Sequence, residues 1–228
     1  MIIIFFSCTK DNINQKEKFI NDLISKMTVM EKIGQLNQYS SFFDVTGPKP
    51  TSLEDSIKYE QIKSGLVGSV LNVTGVKNVK AMQALAIEES RLKIPLIFGL
   101  DVIHGYKTIS PIPIAESASW NLDLIEKSAR MAAKEAASAG INWTFAPMVD
   151  ISRDARWGRV MESSGEDPYL GSKIAVSRIN GFQGDDLKKP LTIASCAKHF
   201  AAYGFAESGK DYNTADIGTQ TLHNIILP

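Results

Sequence analysis

The run Pro95-Leu-Ile-Phe-Gly-Leu-Asp101 decides the fold class of this 228-residue chain. It is apolar up to a final carboxylate, which is typical of a parallel strand whose faces are covered. Three further runs have the same character: Gly68–Val73, Trp143–Asp150 and Ile193–Phe200. Stretches of helical spacing lie between the runs, over Lys77–Arg91, Asn121–Ala139 and Asp167–Gln183. The alternation predicts an α/β fold with a parallel sheet.

Polar side chains lie at the ends of three of these strands, at Asp101, at Asp150 and at Lys198-His199. A doubly wound sheet and a (β/α) barrel both fit the alternation, but several strand ends that supply one site are typical of a barrel. A closed barrel has about eight strand–helix units over roughly 250 residues, and only about half that number can be recognised in this sequence. We therefore expect a (β/α)8 TIM-barrel-type domain that is truncated after about half of the barrel.

Before the first predicted strand, apolar residues at helical spacing indicate two short helices between Lys16 and Asn37. The segment Thr28-Val-Met-Glu31 marks the break between them. Its threonine hydroxyl can cap a helix start while the glutamate reaches back to the threonine amide. The second helix should therefore begin just after Thr28.

The N-terminus, Met1-Ile-Ile-Ile-Phe-Phe-Ser-Cys8, is similar to the tail of a bacterial lipoprotein signal. In that pattern the cysteine is acylated and anchors the protein to a membrane face outside the cytoplasm. We expect residues 1–15 to be a residual signal and linker, residues 16–228 to be the domain, and the protein to be periplasmic or anchored at the outer membrane of a bacterium. A chance apolar start is the alternative, and Cys8 is the only predicted membrane contact.

Charge and cysteine content exclude several other classes of protein. Lys plus Arg and Asp plus Glu each number 25, so the formal net charge is zero and no nucleic-acid partner is indicated. Cys8 and Cys196 are far apart, which argues against a disulfide framework. The sequence has no glycine-rich phosphate loop, so we expect no nucleotide cofactor. A neutral small molecule is the best-fitting ligand.

Three segments carry the residues of chemical interest: Gly99-Leu-Asp-Val-Ile-His-Gly105, the run from Asp150 through Arg159 to Pro168, and Ala197-Lys-His-Phe200. In this order and spacing they resemble family 3 glycoside hydrolases of the bacterial periplasmic β-glucosidase type. The similarity extends from about residue 17 to the end of the sequence. It implies a retaining hydrolase that releases terminal glucose from β-linked gluco-oligosaccharides or aryl glucosides.

The resemblance also implies that Asp101, Arg159, Lys198 and His199 line the subsite for the sugar to be cleaved. This agrees with the chemistry of a pyranose, which presents a ring of hydroxyl groups. A carboxylate accepts hydroxyl protons, whereas Arg, Lys and His can donate to the oxygens. Such contacts can hold the ring and help to distort it.

Each of these residues also has a purely structural interpretation. Asp101 could cap the helix that follows its strand. The arginines of the second segment could pair with its glutamates, and we favour this for Arg156, with Glu162 or Glu166 as partner. Lys198 and His199 could form a solvated strand end. Because neighbouring strand residues point to opposite faces, a shared site for these two requires an irregular strand, which we predict.

Three other functions remain open at this stage. The first is a metal-dependent barrel hydrolase, since His104, His199, Asp101 and Asp150 are zinc-ligand types, although their spacing is poor and we expect no metal. The second is a non-catalytic sugar-binding lipoprotein. The third is the β-N-acetylhexosaminidase branch of the same family, which uses a histidine soon after its Lys-His motif. Here that motif continues Phe200-Ala-Ala-Tyr-Gly204, which favours the β-glucosidase branch.

A retaining glycosidase generally needs a nucleophile and an acid/base. The resemblance implies that the nucleophile is an aspartate in a Ser-Asp-Trp-like motif on a later strand, and that the acid/base often comes from a second domain. No such motif occurs in the 228 residues. We therefore expect the nucleophile beyond Pro228, and no turnover by this chain alone.

Overall fold

The structure is a computed structural model that describes residues 8–40 and 53–228. Of the predicted lipoprotein signal, the run before Cys8 lies outside the described residues. Helix α1 spans Cys8–Lys26 and thus continues across the boundary predicted between residues 15 and 16. No helix in the described part of the chain is both long and apolar enough to cross a membrane.

The sheet contains five parallel strands within the described ranges. They are β1 Gln38–Ser40, β2 Ser69–Leu71, β3 Ile97–Leu100, β4 Trp143–Thr144 and β5 Ala194–Ser195. Their order in space is the order in sequence, β1-β2-β3-β4-β5. A doubly wound sheet reverses its strand order at a switch point, whereas consecutive parallel neighbours are the arrangement of a (β/α) barrel. The sheet order thus decides between the two architectures in favour of the barrel type.

Helices connect the strands and flank the sheet. After α1 they are α2 Val29–Gly34, α3 Leu53–Lys63, α4 Val76–Ala84, α5 Pro113–Ala118, α6 Leu122–Ser138, α7 Pro168–Gln183 and α8 Thr219–Thr221. Wider helical turns extend α4 over Leu85–Glu89 and α8 over Leu222–Ile226, and short 3-10 turns occur at Val160–Glu162, Tyr203–Phe205 and Glu207–Gly209. The three helices predicted between strands are confirmed as α4, α6 and α7.

The predicted capping box is also confirmed. The Thr28 hydroxyl accepts a hydrogen bond from the Glu31 amide at 3.2 Å, and the Glu31 carboxylate accepts one from the Thr28 amide at 2.8 Å. Arg91 donates to the same carboxylate from the far end of the α4 segment, at 3.0 Å through Nε. The break between α1 and α2 is therefore fixed both locally and by a distant residue.

The predicted strands differ from the observed ones in number and length. Strand β1 was not predicted, because Gln38-Tyr-Ser40 is polar and has no apolar run. Strands β4 and β5 are shorter than the apolar runs that contain them. Pro147 follows soon after β4, and a proline has no N–H for the strand ladder. The chain leaves the regular sheet there and runs on towards Asp150 in an irregular conformation.

The core lies between one face of the sheet and the flanking helices. Val70 and Phe98 are paired across β2 and β3 and are fully buried. They belong to one cluster with Met82 of α4, Ala133 of α6 and Phe182 of α7. Ile97, whose side chain points to the opposite face of the sheet, is exposed. Helices thus cover one face of β3 much more completely than the other, as in a barrel wall.

Helices α6 and α7 approach closely because small residues line their contact. Gly181 of α7 lies so near α6 that an added Cβ would meet the Glu126 carbonyl oxygen at 2.4 Å and the Ala129 methyl at 2.7 Å. The buried face of α6 is formed largely by alanines. A larger side chain at position 181 would push the two helices apart.

A buried ion pair joins the helices to the segment that follows β3. Arg178 of α7 donates to Glu116 of α5 at 2.6 Å, and the two side chains are only 6% and 7% exposed. Ser128 of α6 donates to the other carboxylate oxygen at 2.6 Å. Arg178 also donates to the carbonyl oxygen of Ile103. The pair therefore holds three helices and the backbone just after Asp101 in one network.

We predict that Arg178→Met lowers the free energy of unfolding by about 3–5 kcal/mol, because it leaves the Glu116 carboxylate buried without its cation. The double variant Glu116→Leu/Arg178→Met should lose less, since no charge remains buried. Urea denaturation followed by circular dichroism measures both.

The matched control is Arg156→Met, which removes an exposed arginine from a surface ion pair with Asp154 and should destabilise far less. If Arg178→Met and Arg156→Met were equally stable, Glu116 and Arg178 would not form an essential buried pair.

Candidate functional site

Asp101 and Lys198 meet at the carboxyl ends of β3 and β5. The Lys198 ammonium donates to Asp101 Oδ1 at 2.5 Å, and the Asp101 side chain remains 46% exposed. Asp101 does not cap a helix, because the next helix begins at Pro113 with Ile112 as its N-cap residue. The helix-cap interpretation is therefore wrong, and Asp101 presents a half-exposed carboxylate beside a cation.

His199 is held by Asp150, which follows β4. The backbone N–H of His199 donates to Asp150 Oδ2 at 3.0 Å, and the ring Nδ1 lies 2.8 Å from the same oxygen. The Asp150 side chain is only 1% exposed. An ionised carboxylate can only accept, so this contact is a hydrogen bond when Nδ1 carries the proton.

Arg159 lies on the other side of His199. Its Nε and one terminal nitrogen donate to the two oxygens of Glu162, each at 2.7 Å, in a bidentate pair. Its remaining nitrogen, Nη1, lies 3.4 Å from His199 Nε2. The short 3-10 turn Val160–Glu162 brings Glu162 back to Arg159. The pairing of an arginine with Glu162, which was only the structural alternative for Arg159, is thus observed for that residue.

Arg156 has a different partner. Its guanidinium pairs with Asp154 at 2.7 Å in an exposed part of the same loop. The predicted pairing of Arg156 with Glu162 or Glu166 is thus wrong. Asp154 is two residues from Arg156, and this shorter local contact is the one that the loop conformation allows.

Tyr203 forms an aromatic support beneath His199 and Arg159. Its ring lies edge-on to the His199 ring, with centroids 4.8 Å apart, and the Arg159 guanidinium carbon is 5.4 Å from its centroid. Buried Trp157 packs edge-on against Tyr203 at 5.3 Å and donates to Asp211 at 3.0 Å. Burial raises the pKa of Tyr203 to about 12, and the Asp211 carboxylate adds to this rise. Tyr203 is therefore a neutral phenol at ordinary pH.

The four residues predicted to share a site form one connected group. Lys198 reaches Asp101, the adjacent His199 reaches Arg159, and the two contacts are joined through the backbone. Strand β5 ends at Ser195, so Lys198 and His199 lie outside the regular strand, and the predicted irregularity is confirmed. Within residues 8–40 and 53–228, no group of three or more His, Cys, Asp or Glu side chains is arranged to hold a metal ion.

Three supporting residues of the site were not assigned to it from sequence. Asp150 was noted only as a polar strand end and a metal-ligand type, and Glu162 only as a loop partner. Tyr203 was not singled out, although it stands four residues after His199 in the same motif. The resulting set of partly exposed acceptors and donors, with an aromatic support, suits a neutral ligand that is rich in hydroxyl groups.

A parallel sheet in barrel order, with such side chains at its strand ends, defines a (β/α)-barrel-type domain built for a polar small molecule. Residues 28–228 match the Glycosyl hydrolase family 3 N terminal domain. The chain therefore belongs to glycoside hydrolase family 3, and the resemblance that its motifs indicated is confirmed.

Similar proteins include several β-glucosidases. The chain is 43% identical over 213 residues to a periplasmic β-glucosidase of Salmonella typhimurium, covering 93% of this chain and 27% of that protein. It is 31% identical to a lysosomal β-glucosidase of Dictyostelium discoideum, covering 96% of this chain and 30% of that protein. The crystal structure of a Listeria innocua β-glucosidase in complex with isofagomine superposes with a TM-score of 0.82 at 42% identity, covering 92% of this chain and 29% of that one. The chain thus spans less than a third of the length of these relatives.

We predict that Arg159→Gln raises the pKa of the Glu162 carboxyl. The bidentate contact with Arg159 holds this pKa below its ordinary value, against an opposing effect of burial. A lowered pKa in the folded state contributes stability above the unfolded-state pKa, and this contribution is lost as the pH falls through the folded-state pKa. The variant should therefore lose less stability on acidification.

Carboxyl carbon-13 NMR titration measures the change, with Glu162→Gln to identify the signal. Glu135 is the internal control, because its lowered pKa depends on Thr108 and Lys107 rather than on Arg159. A Glu162 pKa that stays unchanged in Arg159→Gln would contradict the assignment.

Proposed function

We propose that this chain is the sugar-binding part of a β-glucosidase, which releases terminal glucose from β-linked gluco-oligosaccharides or aryl β-glucosides with retention of configuration. The observation that carries the proposal is the contact of Asp101 with Lys198, and of Arg159 with His199, at the strand ends of a family 3 domain. The Listeria innocua relative was crystallised with glucose and with laminaribiose, which supports a glucoside as the substrate.

The proposed role of the four residues is to bind the glucose ring. Asp101 has an oxygen besides the one bound to Lys198 and can accept sugar hydroxyl protons. Lys198 and Arg159 supply donors whose positive charge strengthens their hydrogen bonds. Tyr203 supports the arginine and histidine from below. All four residues are assigned to binding, and none to the role of nucleophile.

Glucose is favoured over xylose as the terminal sugar. Relatives named β-xylosidases also match, for example a putative one of Formosa agariphila at 30% identity over 99% of this chain. The identity to the periplasmic β-glucosidase is higher, at 43%. The motif after Lys198-His199 separates this chain from the β-N-acetylhexosaminidases and does not bear on the choice between glucose and xylose.

We further propose that the protein lies outside the cytoplasm of a bacterium, in the periplasm or anchored at the outer membrane through an acylated Cys8. The Salmonella typhimurium relative is named as periplasmic. The apolar run that ends in Ser7-Cys8 is the sequence feature that supports the anchor.

We predict that Asp101→Asn weakens glucose binding to the 228-residue chain about tenfold or more, because it removes a charge-assisted acceptor. Isothermal titration calorimetry or ligand-observed NMR with glucose measures the affinity. Asp216→Asn, a change at an exposed aspartate, is the matched control and should leave the affinity unchanged. Equal affinity of the wild type and Asp101→Asn would remove Asp101 from the site.

We predict that the protein expressed in a bacterium carries a lipid on Cys8 and partitions into the detergent phase of a two-phase extraction. Intact-protein mass spectrometry identifies the added mass. Cys8→Ser should abolish the added lipid mass and the partitioning into detergent, whereas Cys196→Ser should leave both unchanged. A wild-type protein with an unmodified Cys8 thiol would contradict the anchor.

A further inference from the structure

Asp150 occupies a tightly fixed position between β4 and β5. The Val149 N–H donates to the Lys198 carbonyl at 2.6 Å, and the Lys198 N–H donates to the Pro147 carbonyl at 3.0 Å. The His199 N–H then donates to Asp150 Oδ2. These consecutive contacts lock the buried carboxylate against the backbone that carries Lys198 and His199.

Both ring nitrogens of His199 have a partner that restricts where the proton can be. Nδ1 faces the Asp150 carboxylate at 2.8 Å, which can only accept. Nε2 faces Arg159 Nη1 at 3.4 Å, and a guanidinium can only donate. The neutral ring with a proton on Nδ1 and a lone pair on Nε2 is the one form that satisfies both partners.

The geometry points to Asp150 as a positioning residue, which fixes His199 in this tautomer so that Nε2 accepts a hydrogen bond from a sugar hydroxyl. This inference rests on the proposed function of the site. It reverses one expectation from the sequence, which had His199 donating to the sugar. Arg159 Nη1 lies beside Nε2 and can donate to the oxygen of the same hydroxyl.

An adjacent donor and acceptor of this kind distinguish a free hydroxyl from an ether oxygen. A hydroxyl can satisfy both groups, because it accepts from Arg159 and donates to His199. An O-methylated position can accept but cannot donate, so it could not form the hydrogen bond to Nε2, and only the long Arg159 contact would remain there. The pair thus selects a sugar whose hydroxyl at this position is unsubstituted.

A merely structural Asp150 would serve only to accept the His199 backbone N–H. A positioning role and a merely structural role of Asp150 differ in whether the carboxylate determines which nitrogen of the His199 ring is protonated. Long-range nitrogen-15 NMR correlation at neutral pH reports which ring nitrogen carries the proton, and His199→Gln identifies the His199 signals among the three histidines. We expect wild-type His199 to show a protonated Nδ1 and an unprotonated Nε2. A proton on Nε2, in either the neutral or the charged ring, would overturn the inference.

Asp150→Ala should release this restriction. We expect the proton to move at least in part to Nε2, and glucose binding to weaken about two- to tenfold, which is the typical effect of losing a hydrogen bond between neutral groups. Asp150→Asn, which keeps an acceptor oxygen of the same shape, should restore part of the affinity. Ser152→Ala, a change at a buried neighbour, is the control and should leave the His199 signals unchanged.

An unchanged His199 tautomer in folded Asp150→Ala would refute the positioning role. If Asp150→Ala does not fold, the wild-type spectrum still decides, because the required tautomer is either present or absent. If His199 shows the Nδ1-protonated tautomer but the wild-type chain does not bind glucose, the proposed function is wrong, although Asp150 still orients the imidazole ring. The tautomer and the affinity therefore test the two proposals separately.

Discussion

Parallel pairing of five consecutive strands places all their carboxyl ends at one edge of the sheet, and the rest of the site depends on this constraint. Asp101, Asp150 and Lys198 are separated by dozens of residues in the chain, yet each lies just beyond the end of a strand. The regular strands are short, and beyond β4 and β5 irregular backbone contacts, such as that of the Val149 N–H with the Lys198 carbonyl, continue up to these polar residues. Regular pairing therefore sets the position of the site, and the irregular backbone beyond it sets the direction of each side chain.

The helices also influence the site, through Arg178. This residue pairs with Glu116 inside the helical layer and bonds the carbonyl of Ile103, two residues after Asp101. A buried ion pair of this kind contributes little net stability compared with apolar packing, but it specifies one arrangement of the groups it joins. Here those groups are three helices and the loop that follows Asp101. The packing of α5, α6 and α7 therefore helps to fix the position of the loop after Asp101.

Local patterns in the sequence were sufficient for much of the fold. The apolar runs located β2 to β5, and the Thr28-to-Glu31 spacing located the start of α2, because each depends on neighbours within a few residues. Strand β1 and helix α3 escaped detection, since the first is polar and the second has only a weak apolar face. Their formation depends on contacts with the rest of the sheet rather than on their own composition.

The site shows the same division between local and distant contacts. The Arg159–Glu162 pair joins residues of one loop, so the sequence offered it as a structural alternative, and the grouping of Asp101 with Lys198 came from a family resemblance. The contact of Asp150 with His199 spans 49 residues and has no local signature, so no pattern in the sequence could reveal it. Distant partners of this kind decide which ring nitrogen of a histidine carries the proton, so the tautomer can be inferred only from the three-dimensional structure.

The burial of Trp157 has an optical consequence. Of the three tryptophans, Trp120 is exposed to solvent, whereas Trp157 is enclosed and stacked edge-on against Tyr203, which itself touches His199. Its fluorescence is shielded from quenchers dissolved in water, and only the Tyr203 ring separates it from His199, one of the residues proposed to bind the sugar. The molecule thus carries an intrinsic chromophore whose emission reports on the floor of the site without any added label.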